Sequence, residues 1–207
     1  MATGQEDLLR EVFRDLQNRR LVQPTRKLVP FKRGERNSPN FHAGMLHRQN
    51  IYYWLDNHVF DADGLRFVLL HEERHLRGYL SQTAYFLSMI GWASFFVYLI
   101  LTGHLRESPW FLLQILLVPA VWYTAMPFLR IDENRCDLWA AKQMKDKLGI
   151  ARPSEAVRRA MTFKKRDLTR AQRVSLFFAS RIFHIDYHPP FRKRIARIER
   201  EIDDLNN

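Results

Sequence analysis

His71-Glu72-Glu73-Arg74-His75 is the stretch on which the reading of this chain turns. On a helix, residues four apart project from one face, so His71 and His75 can offer both imidazoles to one Zn²⁺. Glu72, between them, can take a proton from a water that the ion activates. A catalytic zinc site keeps one position open and takes three protein ligands, so a third donor has to be found elsewhere.

Glu133 supplies the expected third ligand. It lies in Ile131-Asp132-Glu133-Asn134-Arg135-Cys136-Asp137-Leu138, which runs on as a helix to Gly149, a C-terminal stop signal. Glu133 and Asp137 are again four apart on one face. Glu133 completes a His₂Glu set, and Asp137 can accept the second ring N–H of a ligating histidine and fix its tautomer. The alternative reading makes both acids surface charges beside Arg135.

Between the two motifs, residues 84–101 (AYFLSMIGWASFFVYLIL) and 109–129 (PWFLLQILLVPAVWYTAMPFL) carry no charge. As helices they extend about 27 and 31 Å, the thickness of a bilayer core. Aromatic residues near their ends, Tyr85 and Trp110 among them, suit the interfaces, and the link GHLRES makes the pair a hairpin over about 82–130. Pro119 and Pro127 kink the second helix without forbidding it. The alternative is two buried core helices. A hairpin returns the chain to its starting side, alongside the first motif. Arg74, Arg77, Arg130 and Arg135 flank it, so the positive-inside rule puts the site and both termini in the cytoplasm.

The 207 residues suffice for one domain with a core. A net charge of +11 fits either nucleic acid or an anionic membrane face. No nucleic-acid-binding motif is present, so membrane lipids are the expected partner and nucleic acid is not. Cys136 is the single cysteine, which excludes an intrachain disulfide, and the N-terminus lacks the apolar core of a secretory signal.

In this order, HExxH, apolar hairpin and E-x-x-x-D resemble the integral-membrane gluzincin metallopeptidases of the HtpX and CAAX prenyl protease type. Tyr187-His188-Pro189-Pro190-Phe191-Arg192-Lys193-Arg194 is similar to that family's C-terminal His-Pro segment. The resemblance covers about residues 45–200. It implies one Zn²⁺, a protein or peptide substrate, and oxyanion stabilisation by His188 and Arg194. It also implies that a strand before the zinc helix pairs with the substrate backbone, which points to Ile51, Tyr52, Tyr53, Trp54 and Leu55. A capping His188, a solvated Arg194 and a purely structural strand are the rival readings. Glu73 and Arg74 depart from the small or apolar residues common inside that family's motif, and residues 1–40 do not resemble its N-terminal membrane helices.

Elsewhere, Leu8, Leu9, Val12, Phe13 and Leu16 form the apolar stripe of an amphipathic helix over 5–19, fit for core packing or a membrane surface. Residues 22–48 read as an irregular connection. Asp61 or Asp63 caps the zinc helix. Pro153-Ser154-Glu155 opens another helix, Thr169 a further one, and Phe191 the last. The expected fold is mostly α: residues 1–40 form an amphipathic and basic segment, and 41–207 a zincin-like metallopeptidase domain with a small β element and the inserted hairpin. The expected function is a membrane-embedded zinc endopeptidase acting on membrane or misfolded proteins, with a catalytically inactive scaffold of the same fold as the alternative. The sequence sets no oligomeric state.

Overall fold

The N-terminal apolar stripe folds as helix α1 (Ala2–Asn18), burying Leu9, Val12, Phe13 and Leu16. The computed structural model describes residues 2–30, 41–43, 49–55, 60–78, 131–162 and 190–204, with single helical positions between 87 and 101. A Schellman turn ends α1: Arg20 adopts φ 59°, its N–H donates to Gln17, and the Leu21 N–H donates to the Leu16 carbonyl. Leu21 and Val22 are thereby buried. The Gln17 amide nitrogen then donates to the carbonyls of Gln23, Pro24 and Arg26, each at 3.2 Å, and pins the following turn.

Three short strands follow: β1 (Lys27–Pro30), β2 (Phe41–Ala43) and β3 (Asn50–Tyr53). Their order is β1-β3-β2, with β1 parallel and β2 antiparallel to β3. The stretch 22–48, expected to be irregular, therefore contributes two strands. Phe41 and Ala43 turn their side chains into the core, where Phe41 meets Phe60 edge to face at 5.8 Å.

Helix α2 (Ala62–Arg77) carries the first motif through the centre of the core. Asp61 is its N-cap, accepting from the Gly64 N–H at 2.7 Å. Gly64 also admits a neighbour, because a Cβ there would sit 2.9 Å from Asp61 Oδ1 and 3.3 Å from Ala160 Cβ. Residues 131–148 form α3, which stops at Gly149 in the left-handed region (φ 69°). Helix α4 (Pro153–Thr162) buries Ala156, Val157 and Ala160, and α5 (Phe191–Ile198) runs into a π-helical turn, Glu199–Asp203. Ser154–Asp203 and Arg158–Glu199 contacts tie α4 to that turn.

Side chains of α1, the sheet, α2, α3, α4 and α5 share one core cluster. The described part of residues 1–40 is thus built into the same unit as the motif helix. Most of the expected hairpin, 82–130, lies outside the described residues, as do His188 and the helix expected from Thr169. Among the described residues no helix is long and apolar enough to cross a membrane. The positions described between 87 and 101 are helical, and Leu87, Ile90, Phe95, Val97, Tyr98 and Leu101 expose apolar side chains.

Candidate metal centre

Helical spacing on α2 and α3 assembles the site. His71 and His75 lie on one buried face of α2, with ring centroids 4.7 Å apart and their Nε2 atoms 3.0 Å apart. From α3, Glu133 places Oε2 3.4 Å from His71 Nε2 and Oε1 3.2 Å from His75 Nε2. These three residues form a group able to hold a metal ion. A tetrahedral ion with bonds of about 2.0–2.1 Å sets its donor atoms roughly 3.3–3.4 Å apart, so the observed separations suit Zn²⁺.

The opposite ring nitrogens explain why the Nε2 atoms are the ones turned inward. His71 Nδ1 is 2.9 Å from Asp137 Oδ1. His75 Nδ1 is 3.3 Å from Asp132 Oδ2 and 3.4 Å from Cys136 Sγ. A carboxylate at Nδ1 favours the Nδ1–H tautomer and leaves the Nε2 lone pair for a metal. Asp137 is itself gripped by Arg194, which donates from Nε to Oδ2 and from Nη2 to Oδ1, both at 2.5 Å. Arg194, Asp137 and Glu133 are all buried.

The site's electrostatics follow from burying acids beside imidazoles. Burial opposes ionisation of Glu133, but His71 and His75 outweigh it and hold the carboxylate far below its usual range. Asp137 is lowered in the same way, against burial, by His71 and Arg194. Burial also disfavours the charged imidazoles; even so, the neighbouring acids raise His71, and Asp132 with Cys136 and Glu133 raises His75 well above its usual value. Burial pushes the Cys136 thiol up. The neighbouring acids thus raise the proton affinity of the same two imidazoles that could bind an ion.

Glu72 follows His71 on α2 and is buried. Its Oε2 accepts the main-chain N–H of Ala43 on β2 at 2.7 Å. Glu73 points to the other side of α2 and is fully buried between Arg26 Nε, at 2.8 Å from Oε2, and Arg77 Nε, at 2.7 Å from Oε1. Arg77 also donates to the Leu21 carbonyl at 2.9 Å and lies over the Trp139 ring, 5.3 Å from its centroid.

The structure brings together His71, His75, Glu133 and Asp137, while the Glu72 carboxylate is held at Ala43. Arg194 joins them through Asp137, the acid behind His71, and its Nη2 lies 4.0 Å from Glu133 Oε2. Ile51, Tyr52 and Tyr53 form the middle strand, whose main chain is flanked by β1 and β2. Trp54 and Leu55 follow β3 and are half-buried. Sequence reading passed over Asp132 and Cys136 as partners of His75. Their signal was present, since 132, 133, 136 and 137 share one helix face.

A family model described as Peptidase family M48 matches residues 5–202. No curated protein and no solved structure matches the chain.

Proposed function

Given that this chain belongs to peptidase family M48, whose members are zinc-dependent, we propose that it is a zinc endopeptidase with His71, His75 and Glu133 as metal ligands and Glu72 as general base. One observation carries the assignment: two Nε2 atoms and a carboxylate converge on one point, and Glu72 follows His71 directly on the same helix. A zinc ion bound there supplies Lewis acidity for the scissile carbonyl and lowers the pKa of the attacking water. Glu72 takes that water's proton and delivers it to the leaving amine nitrogen. Asp137 and Asp132 hold the two imidazoles in the ligating tautomer, and Arg194 holds Asp137. His188, by its resemblance to the family's His-Pro segment, donates to the oxyanion.

In this reading, residues of about 82–130 form a two-span hairpin that keeps the centre and both termini at the cytoplasmic face, where membrane or misfolded proteins are cleaved. Two uncharged runs, basic flanks and exposed apolar side chains such as Phe95 and Leu101 support it.

Glu72→Gln is the test. The variant is expected to retain stoichiometric zinc and lose cleavage of casein in detergent by about a thousandfold, the scale of removing a proton carrier with its driving force. Unchanged cleavage at equal zinc content would end the peptidase assignment.

A further inference from the structure

A glutamate has three side-chain torsions, so a general base on a helix needs something to hold its carboxylate in place. His71, His75 and Glu133 are each braced by neighbouring acids or imidazoles. Glu72 is braced by main chain, through the Ala43 N–H.

The direction of that N–H is fixed by the sheet. In an antiparallel pair, successive residues of a strand turn their amides alternately toward the partner and away from it. Ala43 stands opposite Ile51 and His42 opposite Tyr52. Ala43's amide is the one turned outward, and what it meets is Glu72. A slip of one residue would turn it inward, so the register of β2 decides whether Glu72 has a donor. The register is itself locked, because Phe41 and Ala43 share the core face and Phe41 packs on Phe60. A strand of three residues, at the edge of the sheet among the described residues, is thereby fixed in the position that serves the base.

We propose that the Ala43 main-chain N–H is a positioning group for the proton carrier: it anchors Glu72 Oε2 and leaves Oε1 to work on the attacking water. The inference rests on Glu72 being the general base, and it adds a structural requirement that no side chain at position 43 can supply. Because the donor belongs to β2, a displacement of that strand misplaces the base without touching a metal ligand.

Two measurements test it, one of them independent of catalysis. Proline at an outward-facing edge position removes an N–H without breaking the ladder. Ala43→Pro is therefore expected to keep bound zinc and KM within about threefold while kcat falls roughly tenfold to a hundredfold, and Ala43→Gly, which keeps the amide, restores most of the rate. A kcat for Ala43→Pro equal to wild type overturns the proposal, as does a loss matched by Ala43→Gly. The second measurement is hydrogen exchange of the Ala43 amide in the full chain. Glu72→Ala removes the acceptor, and exchange at Ala43 is expected to quicken about tenfold or more, as suits loss of a charge-assisted bond. Unchanged exchange overturns the contact even if Ala43→Pro does not fold. If Glu72→Gln cleaves as wild type does, the peptidase reading fails while the exchange result still decides the contact.

Discussion

The two faces of α2 make opposite use of buried charge. On one, Glu73 is enclosed by Arg26 and Arg77, so the acid meets cations that the chain itself provides. On the other, Asp132, Glu133 and Asp137 gather around His71 and His75, with Arg194 as the guanidinium that meets them among the described residues. With neutral imidazoles, these three carboxylates and that guanidinium sum to two negative charges. The first face is closed electrostatically and can only hold elements together. The second is closed by a proton or by a divalent cation, and this is what makes it a site.

The strongest way to break the comparison is to open the closed face. Glu73→Ala leaves two guanidinium groups without their shared acid and is expected to cost about 3–5 kcal/mol of stability, whereas Glu73→Met, which fills the volume, should cost clearly less. Chemical denaturation of both variants at saturating zinc checks this; equal losses would mean that packing, not charge, sets the role of Glu73. Folded Glu73→Met should still bind zinc stoichiometrically.

The open face is sharpened by pH. In metal-free protein, raised pKa values for His71 and His75 contribute stability that is fully present below their usual 6.5 and is lost as pH rises through the raised values. Zinc needs both imidazoles neutral, so its affinity runs the other way. It should climb by roughly tenfold to a hundredfold per pH unit until those values are passed, then level off. Thermal unfolding with chelator and with zinc, across neutral to alkaline pH, should show the zinc-induced rise in Tm growing with pH. A constant increment would contradict the protonated metal-free cluster.

The smallest effect lies one layer out. Asp137→Ala should weaken zinc binding about tenfold to a hundredfold, and Arg194→Met by less, because Arg194 acts through Asp137. Competition with a chromophoric chelator measures both. If Arg194→Met spared the affinity but removed catalysis, the arginine would face the substrate after all.

Much of the centre was legible because helical periodicity is local. His71 and His75 on α2, and Glu133 and Asp137 on α3, follow from four-residue spacing, and Asp61 and Gly149 mark helix ends by their own chemistry. What escaped was non-local or carried by main chain. β1 and β2 are too short, in a proline-bearing stretch, to show a period; they are strands because β3 pairs with them. Arg26 reaches Glu73 across 47 residues, and Ala43 across 29 to Glu72. No spacing rule connects such pairs. In Glu73, what read as a departure inside the motif is the anchor of its opposite face.

The Arg194–Asp137 bridge also sets an order in time. The partners stand 57 residues apart, so at roughly 5–20 residues per second a growing chain carries both histidines and Asp137 for some seconds before Arg194 exists. Until Arg194 emerges, Asp137, the acid behind His71, lacks the guanidinium that holds it.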